Sequence, residues 1–138
     1  MTLNEKQRVY LGIDPGRSKT GLALVDASGA ILALHIAATV SLREELARFT
    51  SACVPSVIVM GDGTNSARLR EVVRDAFPAT SLELVGEAHS TEEARTLYWQ
   101  AQPPKGWRRL VPLGLLVPPE PLDAYAAVVQ VRRWLARQ

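Results

Sequence analysis

The chain has one cysteine, Cys53, so no internal disulfide is available, and only two histidines, His35 and His89. With no Cys or His grouping, a zinc site of the usual thiolate or imidazole kind has nothing to draw on. Cys53 falls on an apolar stripe with Leu42, Leu46 and Phe49, which predicts a small buried hydrophobe rather than a reactive thiol. Long hydrophobic runs are missing too: no stretch of roughly 18 uninterrupted apolar residues occurs. The start, MTLNEKQRVY, lacks the apolar centre of a secretory signal. A cytoplasmic protein with no membrane partner is the expectation. Nor is there much excess of charge. Sixteen Lys and Arg against fourteen Asp and Glu leave +2, too little by itself to argue for a nucleic-acid partner. Local clusters, such as Arg108 with Arg109 and Arg132 with Arg133, have to carry that argument.

What is there suffices for one core. With 138 residues, 47% of them hydrophobic, residues 1–138 are expected to form a single domain. RVYLGID (8–14) reads as a strand ended by Pro15-Gly16; GLALVD (21–26) and AILALHIA (30–37) flank Ala27-Ser28-Gly29 as a hairpin. Ser41 is placed to cap a helix carrying Leu42, Leu46, Phe49 and Cys53. SVIVMG (56–61) suits a strand buried on both faces, and the next helix carries Leu69, Val72, Val73 and Phe77 before Pro78. SLELVGE (81–87) gives a fifth strand, and Ser90 with Glu93 matches a capping box for a helix with Ala94, Leu97, Tyr98 and Ala101 on its core side. Residues 103–121 hold six of the nine prolines and are read as one long loop. Leu122 to Arg137 closes as a helix. The order β-β-β-α-β-α-β-α-loop-α places the chain in the α/β class.

Three acids stand at element ends with apolar flanks: Asp14 after the first strand, Glu87 after the fifth, Asp123 at the start of the last helix. Packing the flanks would bring the acids together. Clustered carboxylates repel one another and call for a cation, and their hard oxygens select Mg²⁺ or Mn²⁺. Two such ions about 3.5–4 Å apart suit phosphodiester hydrolysis. Taken singly, each acid also has an ordinary reading: Asp14 as a turn residue, Glu87 as a strand-end charge, Asp123 as a first-turn acid favoured by the helix dipole.

The segments GIDPGRSKTGLALVD, GEAHSTEEARTLY and LDAYAAVVQVRRWL, in that order, resemble the three signatures of the YqgF family, related to RuvC-type Holliday-junction resolvases. The similarity runs from about residue 9 to 135. It implies an RNase H-like fold: a five-stranded mixed sheet with strand 1 central, strands 1–3 antiparallel, and strands 4 and 5 parallel to strand 1. It also implies a metal-dependent nuclease, many members being assigned to maturation of 16S ribosomal RNA, with Asp14, Glu87 and Asp123 as metal ligands. The chain departs from the family in three places. Gly86-Glu87-Ala88 replaces the usual Asp-Glu-Arg, GDGTNS follows the fourth strand, and the proline-rich loop is long, its VPPEPLDAYAA end closer to the resolvase branch.

Arg17, Ser18, Lys19 and Thr20 follow Asp14 in what reads as a turn, where they would contact a substrate phosphate or form a solvated hairpin tip. Trp107 with Lys105, Arg108 and Arg109 pairs an aromatic platform with positive charge, as single-stranded nucleic acid requires, or else anchors the loop to the core. Asp62 is an auxiliary candidate, as an outer contact or a loop-turn residue. His89 is a weaker one, since a lone histidine before a capping box is more often a capping or surface group. RNA and branched DNA both remain open as partners, and so do monomer and homodimer. GIDPGRSKTG also resembles the first phosphate loop of sugar kinases and actin-like ATPases, but these close two domains over a nucleotide and 138 residues supply one. A catalytically silent binding module is the non-enzyme alternative.

Overall fold

Alternation along the first strand sets the plan of the molecule. A computed structural model describes residues 8–63, 66–86, 90–112, 115–116, 118 and 120–138. In β1 (Val9–Asp14), Leu11 and Ile13 face one layer and Tyr10, Gly12 and Asp14 the other, as the two-residue period of a strand requires. β2 (Lys19–Asp26) and β3 (Ile31–Ala38) continue antiparallel, while β4 (Val57–Gly61) and β5 (Ser81–Val85) run parallel to β1. The sheet order is β3-β2-β1-β4-β5, with β1 central. The expected five-stranded mixed sheet is the one observed.

Each face of the sheet is covered by two helices. Leu11, Ile13, Leu22, Ile58 and Met60 pack with Leu42 and Leu46 of α1 (Leu42–Phe49) and with Leu69 and Val73 of α2 (Ser66–Ala76). Tyr10, Ala23, Val25, Val59 and Val85 pack with α3 (Ser90–Ala101) and α4 (Asp123–Leu135). Tyr98 stands edge-on to Tyr125 with centroids 5.5 Å apart, an arrangement that complements ring quadrupoles across the α3–α4 contact. Among the described residues, no helix is long and apolar enough to cross a membrane.

Several local readings are corrected. α1 stops at Phe49, so Cys53 is not on it. Cys53 sits half-buried in the following turn, its N–H donated to the Thr50 carbonyl at 3.2 Å, because the chain must extend before Pro55. Ser41 occupies the N-cap position but makes no side-chain cap bond, a 3₁₀ turn over Thr39–Ser41 leading into the helix instead. β2 begins two residues early, so Lys19 and Thr20 are paired strand residues, opposite Ala38 and Ala37. β5 ends at Val85, short of Glu87, which with Ala88 and His89 lies outside the described residues. Ser90 is the first residue of α3 rather than its cap, and Glu93 pairs with Arg133 at 3.1 Å. The proline-rich segment contains a short 3₁₀ helix, Gly106–Leu110.

The β2–β3 turn makes a local prediction. The Asp26 carboxylate accepts from the Ser28 hydroxyl (2.6 Å), the Ser28 N–H (2.9 Å) and the Ala30 N–H (3.0 Å). These bonds, the Ser28 hydroxyl foremost, hold it below its ordinary value of 3.8. A depressed carboxylate contributes stability at pH above its unfolded value and loses it as pH falls through the folded one. Asp26→Ala should therefore melt below wild type at pH 6, and the gap should narrow by pH 3. A gap constant across that range in thermal melts would detach the turn's stability from the charge.

Candidate active site

The carboxyl ends of β1, β4 and β5 share one edge of the sheet, the usual position of functional groups in open parallel arrangements. Asp14 ends β1. Asp62 follows β4 directly and donates its backbone N–H to the last residue of β5, Val85, at 2.8 Å. β5 ends at that same edge, and Gly86, the residue after it, is fixed through its carbonyl by the Arg133 guanidinium of α4 at 2.8 Å.

Two glycines bring Asp123 to Asp14. α4 lies so close on the sheet that a Cβ at Gly12 would collide with the Ala127 carbonyl, and one at Gly21 with the Asp123 carbonyl. Gly21 is the direct cross-strand partner of Asp14, and such partners sit about 4.5–5.5 Å apart between α-carbons. The start of α4 is therefore one strand step from Asp14. Further along α4, Gln130 reaches back to donate its Nε2 to Asp14 Oδ1 at 3.0 Å. The sequence did not single Gln130 out. The signal available was a lone amide inside the otherwise apolar run AAVVQV.

The β1–β2 connection is tied down by side chains that are not exposed. Thr20 is fully buried and its hydroxyl meets that of Thr39 at 2.8 Å, while Thr39 donates to the Gly16 carbonyl at 2.9 Å. This is a structural latch, and burial leaves Thr20 no surface for a phosphate. Arg17 and Lys19, by contrast, are exposed.

Trp107 does not anchor its loop: it is 69% exposed, and Arg108 lies 5.7 Å from its ring centroid. Val111 and Leu116 pack against the core in its place. Lys105 and Arg108 line a groove with Tyr98, Trp99 and Glu120, which lies three residues before Asp123. Burial pushes the Tyr98 phenol up, Glu120 and Tyr125 add to this, and Arg108 opposes it. Arg132 and Arg133 are engaged within the fold, Arg132 with the Gly29 carbonyl at 2.9 Å and Arg133 with Glu93 and Gly86. They are not a free basic patch.

The donors suit a hard divalent cation. Asp14 and Asp123 come from adjoining backbone and Asp62 from the next strand end, and carboxylate oxygens are the hard kind such a cation takes, but as placed the three do not form a ligand group. Among the described residues no group of three or more His, Cys, Asp or Glu side chains is close enough to hold a metal.

The strand order and helix placement are those of the RNase H-like fold. Among solved structures the chain is similar to Thermus thermophilus RuvC, at 17% identity and a TM-score of 0.56, covering 93% of this chain and 96% of that one. It is likewise similar to the Fowlpox virus resolvase, solved with substrate Holliday junction DNA, at 10% identity and a TM-score of 0.55, covering 92% and 98%. A ROK-family transcriptional regulator, a homologue of the E. coli MLC protein, matches at 13% identity and a TM-score of 0.50, over 69% of this chain but only 32% of that one. The chain thus spans nearly all of each resolvase and a minor part of the regulator; at these identities the likeness is one of fold. No family model and no curated protein sequence matches the chain.

Proposed function

We propose that the protein is a divalent-metal-dependent nuclease that hydrolyses phosphodiester bonds, with Asp14, Glu87 and Asp123 as its catalytic carboxylates. The observation that carries this reading is the approach of the Asp123 backbone to Gly21, the cross-strand partner of Asp14, at the sheet edge where β5 also ends. Asp14, Asp123 and Glu87 would hold Mg²⁺ or Mn²⁺, and a pair of these ions supplies water activation and stabilisation of the attacking and leaving oxygens. Arg17 and Lys19 would contact the phosphate backbone beside the carboxylates. Asp62 would orient a ligand from the neighbouring strand end, and His89 is kept as an auxiliary group.

Branched DNA is the first substrate to test, because RuvC and the Fowlpox virus resolvase, which the chain matches over almost their whole length, have each been solved with a Holliday junction. The three signatures in the sequence favour RNA as the second, in the manner of ribosomal RNA processing. Labelled four-way junctions, single-stranded DNA and structured RNA, each incubated with Mg²⁺ or Mn²⁺, decide between them. Cleavage of one class only assigns the substrate. No cleavage of any class with either ion sinks the nuclease reading and leaves a silent binding module.

The loop has its own expected outcome. Lys105, Arg108 and Arg109 are exposed on the segment preceding α4, and cations that neutralise phosphates make binding fall steeply with salt. Replacing all three by Ala should weaken substrate binding and reduce the slope of log K against log salt by up to about three ion equivalents, leaving Mn²⁺ affinity unchanged. A slope equal to that of wild type would exclude these three from the interface.

A further inference from the structure

α4 buries one amide among valines and alanines. Gln130 is fully buried between Val129 and Val131. Its Nε2 donates to Asp14 Oδ1 at 3.0 Å, yet among the described residues its Oε1 is buried with no hydrogen-bond partner. The amide cannot usefully be turned over, since a carboxylate only accepts and the flip would set oxygen against oxygen. A leucine or methionine would fill the same space without stranding a carbonyl, so it is the bond to Asp14, not the packing around α4, that calls for glutamine here.

We propose that Gln130 is a positioning residue for the cation site, an inference that rests on the nuclease reading above. By holding one carboxylate oxygen, it fixes the orientation in which Asp14 presents itself at the sheet edge. A neutral donor does this without placing a positive charge where a divalent cation is to bind. A lysine or arginine at 130 would grip the carboxylate more strongly and compete with that cation. Partners that orient a metal-binding group typically alter metal affinity by roughly 10–100-fold when removed.

The test uses the full chain carrying Gln130→Leu and, separately, Gln130→Met. Mn²⁺ binding is measured by calorimetry, melting without metal by circular dichroism, and kcat and KM on the cleaved substrate at saturating Mn²⁺. The expected result is a Kd for Mn²⁺ raised roughly 10–100-fold, a lower kcat with KM nearly unchanged, and metal-free melting equal to or above wild type. Wild-type Mn²⁺ affinity and kcat in both variants would overturn the positioning role while leaving the nuclease reading standing. Failure of both variants to fold would overturn it too, assigning the amide to the fold. A wild-type protein that neither binds Mn²⁺ nor cuts any substrate brings down the nuclease reading and this inference with it.

Discussion

Asp14→Asn should fold, bind nucleic acid, and cut it at least a hundredfold more slowly than wild type. The substitution removes one negative charge at nearly constant shape, and the asparagine oxygen can still accept the bond from Gln130 that the carboxylate accepts now at 3.0 Å. Losing one donor from a site that stabilises developing charge typically costs on the order of a hundredfold or more in rate, about 2.7 kcal/mol of barrier. Binding should survive, because a less negative sheet edge repels phosphates less. Cleavage and affinity measured side by side on the same preparation check this. Near wild-type cutting by a folded Asp14→Asn would remove Asp14 from the catalytic set. The same comparison with Glu87→Gln and Asp123→Asn would show whether the three acids act as one unit.

How far the sequence foretold this arrangement depends on how local each cause is. The strands were legible because alternation in VYLGID and the continuous apolar run VIVMG are local patterns with one physical meaning each. Helix ends were less so. α1 stops before Cys53 because Pro55, two residues further on, constrains the backbone, while the apolar spacing alone continues past Phe49. Thr20 looked like a turn hydroxyl. Its partner Thr39 is 19 residues away, and nothing in the sequence joins the two before β3 is laid beside β2. Trp107 was ambiguous between platform and anchor, and only the packing of Val111 and Leu116 shows what holds that segment. Of the candidate site, the acids stand out in the sequence as charges breaking apolar flanks. The contacts that bring Asp14 and Asp123 together were not, because they depend on the absence of a Cβ at Gly12 and Gly21, and a glycine's empty side is readable only once α4 lies on it.

That empty side should make Gly21→Ala a strongly damaging single-methyl change. Gly21 pairs with Asp14 across the β1–β2 ladder, and a methyl placed on it would run into the backbone carbonyl of Asp123. Backbone, unlike the tip of a flexible side chain, cannot step aside without moving its helix. The start of α4 would have to lift from the sheet, and the fully buried residues Ala127, Val128 and Val131 would lift with it. Overpacking of a core typically costs about 1–3 kcal/mol, and in a domain of this size that corresponds to a melting temperature lower by roughly 3–12 °C. Chemistry should suffer beyond stability, since the displaced residue is Asp123 itself. At temperatures where the variant is fully folded, Mn²⁺ affinity and cleavage should both fall. Gly86→Ala is the matched control, because among the described residues a methyl there meets nothing within 4 Å, and its stability should stay within about 0.5 kcal/mol of wild type. Thermal melts and Mn²⁺ titrations of the two variants together isolate the effect of the close approach. If Gly21→Ala melts with Gly86→Ala and binds Mn²⁺ as wild type does, α4 does not press on β2, and the juxtaposition of Asp123 with Asp14 has to be abandoned.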